Sequence, residues 1–256
     1  MASLCEYLII TVTDLETDTL LEIYKNRYSR CPVTNTIHYN SYNDLGCFGK
    51  ENASRVFHVK SEMGSDMPGG SAITTFTSLI ELRPIKVIMA GIAFGFDEIN
   101  QKIGTVLVSE SIMSYDFKKI GTKIDGDFLQ MDYQYRARQM NCPTKLIKLF
   151  KAVRQQRSPI NTPYDIEFGL LISGQTLIDN REYRDHLKSY FNAAIGGEME
   201  GAGLCAATDA YPVDWVIIKG ICDWADGNKA IDKDSKQKKA AENSINLIFD
   251  ALDTLI

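Results

Sequence analysis

The stretch Gly196–Lys229, GGEMEGAGLCAATDAYPVDWVIIKGICDWADGNK, decides the fold. It has three parts. Glu198 and Glu200 stand before a small-residue segment that reads as a helix opened by Glu200; Val213–Ile221 is almost wholly apolar; Asp223 follows it. A buried strand joined to helices implies an α/β sheet, and in such sheets ligands gather at the carboxyl ends of strands and the helix ends beside them. Each acid also has a plainer explanation. Glutamates at a helix start favour the positive end of the helix dipole, and Asp223 opens a turn-forming run, Asp-Trp-Ala-Asp-Gly-Asn. The context favours a site. Gly201, Ala202, Gly203, Ala206 and Ala207 leave a nearly bare helix face, at a cost in helix propensity at the glycines. A backbone or a ligand can approach such a face closely. The strand before Asp223 places that carboxylate at the rim of a core.

Composition limits the function. With 256 residues, 45% of them hydrophobic, the chain can form one large α/β domain, and no repeat, low-complexity tract or composition break divides it, so residues 1–256 are expected to be a single domain. A net charge of -5 argues against a nucleic-acid-binding surface. The six cysteines are scattered without a C-x-x-C pair, as suits free thiols in a reducing compartment. His38, His58 and His186 show no ligand spacing, so no metal and no cofactor is expected. The N-terminus has no basic segment ahead of its apolar run, and no stretch approaches the ~18 apolar residues of a membrane span. A cytoplasmic protein with no membrane contact is expected.

Read in order, Tyr7–Val12 is a first strand, and Thr13-Asp14 caps a helix with an apolar face at Leu15, Leu20, Leu21, Ile23 and Tyr24. Asp14 and Glu16 then lie at the same strand-end rim as Asp223 if the strands are parallel. His38–Ser41 reads as an edge strand, Asn43–Gly46 as a turn and Arg55–Lys60 as a strand. Residues 61–72 are glycine-rich but match neither the dinucleotide fingerprint nor the P-loop, and lead into a helix Ser71–Leu82. Val87–Ala90 is a buried strand ending in a turn, Gly91–Gly95, whose glycines would let the backbone pass close to a planar ligand. Ile103–Ser109 is a further strand and residues 111–127 a polar connection. Gln130–Gln155 has helical patterning broken at Asn141-Cys-Pro143. Its region holds Arg136, Arg138, Lys145, Lys148, Lys151, Arg154 and Arg157, either a solvated face or charge for a phosphorylated substrate. Ile166–Ile172 is a strand, and Ser235–Ile256 an amphipathic helix with Ala241, Ile245, Ile248, Phe249, Leu252 and Leu255 on one face.

Glu-Met-Glu-Gly-Ala (198–202) followed by Ile-Lys-Gly-Ile-Cys-Asp-Trp-Ala-Asp (218–226) resembles the purine nucleoside phosphorylase and methylthioadenosine/S-adenosylhomocysteine nucleosidase superfamily, above all the effector branch seen in bacterial defence systems and fungal immune-receptor-like proteins. The resemblance covers nearly the whole chain. It implies a three-layer α/β/α fold with a central mixed, twisted sheet, and a homodimer or higher homo-oligomer. It gives Glu200 the ribose hydroxyls, with Glu198 beside it and Met199 lining the sugar. It gives Asp223 the proton for purine N7. A glutamate after the first strand activates water; Glu16 is the nearest match, while alignment without a gap puts Thr17 there. Ala93 and Phe94 of the glycine turn, and Leu177 and Ile178 after Ser173-Gly174, flank the base. Several relatives carry an aromatic at the Leu177 position.

Cleaving a purine N-glycosidic bond builds positive charge on the sugar and negative charge on the base. A carboxylate at the diol faces the cationic ring, and an acid at N7 neutralises the departing purine. Such an acid must be shielded from water, and Trp224 is placed to shield Asp223. Phosphorylases of the superfamily carry a Gly-Asp-Pro-x-x-Arg loop after the first strand and an arginine before the glycine turn. Here those places read Thr-Val-Thr-Asp-Leu-Glu and Val-Ile-Met-Ala-Gly, so hydrolysis is expected over phosphorolysis. The substrate is then a purine, most simply adenine, nucleoside or nucleotide. Phosphorolysis and a nucleoside-sensing module without turnover are the alternatives.

Overall fold

The computed structural model describes residues 4–38, 40–50, 53–126, 128–157 and 163–255. Its strands are β1 (Tyr7–Thr11), β2 (Val33–Ile37), β3 (Asn40–Phe48), β4 (Ser54–Lys60), β5 (Lys86–Gly95), β6 (Val106–Ser114), β7 (Lys118–Asp125), β8 (Phe128–Tyr135), β9 (Met140–Asn141), β10 (Ile166–Ser173), β11 (Ala194–Glu198) and β12 (Asp214–Asp223). Its helices are α1 (Asp14–Tyr28), α2 (Ser71–Glu81), α3 (Thr144–Gln156), α4 (Arg181–Tyr190), α5 (Gly201–Thr208) and α6 (Lys233–Asp253).

Strand β12 is buried along nearly its whole length because both its faces are covered. Alternate residues of the central strands feed two cores. Ile9, Ile88 and Val216 pack with Leu20 of α1, Phe150 of α3 and Phe249 of α6. Leu8, Val87 and Ile217 pack on the other side with Leu79 of α2 and Leu204 of α5. The main sheet runs β11-β10-β6-β12-β5-β1-β4-β3-β2. It is mixed: β5 lies parallel to β1 and β12, while β12 lies antiparallel to β6. The three-layer α/β/α expectation therefore holds. A closure adds to it: β11 also pairs antiparallel with the end of β5, Gly196 against Gly95 and Gly197 against Phe94. Five strands thus form a ring, β5-β12-β6-β10-β11, and the site lies at its rim.

Several local expectations change. Asn43–Gly46 lies inside β3, where a register shift between Asp44 and Cys47 interrupts pairing with β4 and the Asp44 side chain accepts from the Gly46 N–H. His38 sits in a turn before β3, and Tyr39, within the expected edge strand, lies outside the described residues. Gly91–Gly95 is not a turn but the second half of β5, held by β11 and β12. The expected connection over 111–127 and the helical reading of 130–140 are replaced by the β7–β8 hairpin, in which Ile124 faces Leu129 and Thr122 faces Met131.

Beside the central strands, β4 carries a fully buried histidine. Asn43 Nδ2 donates to His58 Nδ1 at 3.1 Å, so His58 Nε2–H donates to Thr11 Oγ1 at 2.8 Å. Neither nitrogen has an anion to welcome a second proton, and burial pushes the His58 pKa down to about 4. Unfolding frees the ring to titrate near 6.5. The stability this neutral ring supplies is complete above pH ~6.5 and lost as pH falls toward 4, at a limiting slope of about 1.4 kcal/mol per pH unit. Urea titrations from pH 7 to 4.5 should therefore show a steeper fall for the wild type than for His58→Gln. Identical slopes would assign the acid sensitivity elsewhere.

Candidate active site

The site is assembled from strand ends. Thr13 caps α1 with its side chain, and Glu16 completes a capping box by reaching back to the Thr13 N–H. Glu16 is 1% exposed. Its Oε2 accepts from the N–H groups of Val12 and Thr13 at 2.9 and 2.8 Å, and its Oε1 accepts from the Ile92 N–H at 2.9 Å. Gly91 makes that reach possible: with φ 151°, any Cβ there would lie 2.1 Å from Glu16 Oε1. Thr17, the alternative at this junction, pairs with Thr11 Oγ1 instead.

Strand β11 ends at Glu198, and α5 begins with Glu200 as its N-cap. Glu198 is therefore a strand-end residue and not part of the helix. Its carboxylate accepts from the Glu200 N–H at 3.0 Å and the Gly201 N–H at 2.9 Å, filling the capping role for α5. Burial raises its pKa, with the Lys219 charge opposing. Glu200 receives the Gly64 N–H on Oε1 at 3.2 Å and Lys219 Nζ on Oε2 at 3.0 Å. The bare face of α5 takes a neighbouring backbone: a Cβ on Gly203 would meet Ser71 Oγ at 2.3 Å and the Ala72 nitrogen at 2.7 Å. That contact holds α5 against the start of α2.

Lys219, in the middle of β12, is the residue sequence reading passed over. It is 1% exposed, 3.0 Å from Glu200 Oε2 and 4.0 Å from Glu198 Oε2, and a Cβ on Gly91 would touch both it and Glu16. Burial works against its charge, but Glu200, Glu16 and Glu198 together outweigh it and hold the ammonium above its ordinary range. A lone lysine inside an apolar strand is itself the signal, since a charge is buried only with partners.

Asp223 closes β12. A register shift between Ile221 and Asp223 sets it opposite Phe94 of β5, the kind of irregularity that re-aims a side chain at a strand end. Its Oδ1 accepts from the Ala225 N–H at 2.9 Å. Its Oδ2 accepts from Cys222 Sγ–H at 3.1 Å and lies 3.3 Å from Lys229 Nζ. Asp223 is 6% exposed. Trp224, expected beside Asp223 as a shield, packs on Gly95, within 2.5 Å of where a Cβ would stand, and does not line the cavity. Gly91 and Gly95 thus admit protein side chains, where a planar ligand was expected.

All nine residues picked out from the sequence line one cavity. Glu16, Ala93, Phe94, Leu177, Ile178, Glu198, Met199, Glu200 and Asp223 meet there from separate elements. Met63 of the glycine-rich loop joins them, as do Lys229, Lys233 and Gln237, which were not expected. None of the basic residues of 136–157 lines it; Lys151 pairs with Glu110, and Arg157 with Asp250 and Tyr164. Leu177 is largely exposed at the edge, and Ile178 buried. The loop carrying them is pinned by Tyr115, whose hydroxyl donates to the Thr176 carbonyl at 2.9 Å. Among the described residues no group of three or more His, Cys, Asp or Glu is placed to hold a metal, and no helix is long and apolar enough to cross a membrane. Chemically, the cavity offers one apolar wall, buried carboxylates at two separate points, and cations.

Known proteins share this arrangement of elements. The chain is 26% identical over 244 residues to a death domain-containing ATP nucleosidase of Amphimedon queenslandica, covering 90% of this chain but only 45% of that protein's length. It is 23% identical to the 5'-methylthioadenosine/S-adenosylhomocysteine nucleosidase of Staphylococcus haemolyticus, over 81% of this chain and 85% of that one. The crystal structure of the corresponding nucleosidase from Neisseria meningitidis, in complex with methylthio-immucillin-A, superposes with a TM-score of 0.75 at 21% identity, covering 97% of this chain and 99% of that one. The family model of the phosphorylase superfamily matches residues 6–253, and the chain belongs to that superfamily.

Proposed function

We propose that this protein hydrolyses the N-glycosidic bond of purine nucleosides and releases the free base. The observation that carries the reading is the convergence of Glu16, Glu200 and Asp223, from α1, the start of α5 and the end of β12, on one cavity. The adenine nucleosides named for the similar nucleosidases favour adenine as the base. Ala93, Phe94 and Ile178 give the purine an apolar wall. Glu200 takes the ribose hydroxyls, with Met199 against the sugar and Glu198 holding the turn that aims Glu200. Asp223, once protonated, passes that proton to N7 as the bond breaks and is left as the carboxylate that pairs with Lys229. Glu16 takes a proton from the attacking water; its Oε1 accepts a single hydrogen bond, from Ile92, and keeps a lone pair for that step. Four carboxylates line the cavity, and Lys219 and Lys229 offset only part of that charge, which favours a sugar turning cationic.

Water is the nucleophile in this reading, because no arginine lines the cavity to hold a phosphate co-substrate. In phosphate-free buffer the purified protein should release adenine and free ribosyl product at an undiminished rate. An absolute requirement for phosphate, with a ribose 1-phosphate product, would mean phosphorolysis. We further take residues 1–256 to work as one unit in the cytoplasm and as a homo-oligomer, supported by the exposed apolar residues Ile73, Phe76 and Ile80 on α2. A death domain in one relative supports a role as a defence effector.

A further inference from the structure

The segment 174–179, between β10 and α4, is neither helix nor strand, yet it supplies Thr176, Leu177 and Ile178 to the cavity lining. Such a connection keeps one shape only where other parts of the fold hold it. The two residues after β6 hold it from one side. The Tyr115 N–H donates to the Ser173 carbonyl at 3.0 Å, and the Tyr115 hydroxyl donates to the Thr176 carbonyl at 2.9 Å. Between these, Asp116 Oδ2 accepts from the Gln175 N–H at 2.7 Å. Gly174 lets the Tyr115 ring lie against the chain, because a Cβ there would overlap the ring. Tyr115 is fully buried, in the same apolar cluster as Ile178 and Phe94. Burial, with the Asp116 charge beside it, raises the phenol pKa, so the hydroxyl stays a donor. Its own backbone is held in turn by Lys118 of β7, which donates to the Tyr115 carbonyl at 3.2 Å.

Resting on the functional reading above, Ile178 forms the base wall with Ala93 and Phe94. Strand β5 holds Ala93 and Phe94 by its pairing with β12, so only the loop part of the wall needs separate support. We propose that Tyr115 is a positioning residue for the purine: its hydroxyl holds Thr176, so that Leu177 and Ile178 already stand in the base-binding shape before the substrate arrives. Tyr115 does not itself line the cavity, so it acts through the loop. The effect is one of pre-organisation. Without the hydroxyl, part of the binding free energy goes into ordering the loop, and affinity for the base falls. Asp116 still holds Gln175, and Asp179 still accepts the Gly227 N–H at the far end, so the loosening is confined to residues 176–178. Glu200 and Asp223 sit at the start of α5 and the end of β12, outside this loop, and the chemical step is spared.

The test is Tyr115→Phe in the full chain, which removes one oxygen and keeps the ring against Gly174. The Ki of free adenine as a competing product, and the KM of adenosine, should both rise about 5-fold, the scale of one net hydrogen bond, while kcat stays within about 2-fold. Hydrogen exchange over residues 175–178 should quicken in the variant and slow again when adenine is added. A role in stability alone would lower the melting temperature and leave Ki and KM at their wild-type values. That result would overturn the proposal while leaving the nucleosidase reading intact, and so would a fall in kcat with the adenine Ki unchanged. Gly174→Ala, which drives the ring away from the loop, should raise the adenine Ki at least as much; Tyr115→Phe decides the question even if that variant does not fold. In the double variant the two effects should not add, because both remove the same hydrogen bond, and additive effects would also count against Tyr115. Wild-type protein that neither binds nor releases adenine would overturn the nucleosidase reading, and this inference with it.

Discussion

Asp223→Asn should reduce turnover of adenine nucleosides at least ~10²-fold, with little change in substrate affinity. Asparagine is nearly isosteric and can still accept the Ala225 N–H on the same oxygen. What it loses is the ion pair with Lys229 and the ability to pass a proton to N7. The proton is needed because purine leaves as an anion unless N7 is protonated. A nitrophenyl riboside, whose leaving group departs without that proton, should be hurt far less by the same substitution. A purely structural Asp223 would depress both substrates alike, because a disturbed strand end would misplace Phe94 and Ala225 for either. Wild-type cleavage of adenine nucleosides by Asp223→Asn would mean another acid serves, and Asp226, which pairs with Arg181 and receives Asn228, is the next to test.

Glu200→Gln should also cost orders of magnitude in kcat, for two connected reasons. The carboxylate that faces the diol, and the positive charge growing on the ring, becomes a neutral amide. The same change removes the anion 3.0 Å from Lys219, leaving that ammonium with Glu198 at 4.0 Å and Glu16. Breaking a buried pair typically costs ~3–5 kcal/mol, and the two remaining glutamates should hold the loss below that range. The melting temperature should therefore fall modestly while turnover collapses. Substrates lacking the 2′-hydroxyl should lose proportionally less, because part of the clamp is already absent. Equal turnover of variant and wild type would leave Glu200 a structural role alone, receiving the Gly64 N–H and pairing with Lys219.

These residues were legible in the sequence for a physical reason. Glu198, Glu200 and Asp223 lie beside short, strongly patterned elements, and Thr13 with Glu16 forms a local capping box, so neighbours in the chain suffice to place them. Lys219 was not legible in the same way. Its partners come from opposite ends of the chain, Glu16 from the first helix and Glu198 and Glu200 from the β11–α5 junction, and only the folded sheet brings them together. Lys229 and Lys233 sit in a polar stretch that reads as a solvated surface until α6 is docked over the cavity. The Gly91–Gly95 segment reads as a turn because its glycines suit one, yet β11 and β12 hold it as strand. Helix α4 escaped notice because it is short and mostly polar, REYRDHLKSY, with a stripe of only Tyr183, Leu187 and Tyr190; only Arg184 and Leu187 are buried. The β7–β8 hairpin was missed despite a signal in plain view. Ile120, Ile124, Leu129 and Met131 fall on one face on either side of a turn that starts at Gly126, after the last pair Asp125–Phe128, and all four are exposed.

The central claim is that this cavity breaks a purine N-glycosidic bond and does not merely hold a ligand. The most direct measurement is chromatography of the free base after incubating purified protein, in phosphate-free buffer, with adenosine and AMP, alongside Asp223→Asn as the matched control. The account predicts adenine accumulating with time and enzyme concentration in the wild type, and at least ~10²-fold more slowly in the variant. Saturable binding of these compounds by the wild type, with no adenine released above the variant's level, would contradict it and leave a nucleoside-sensing module in its place.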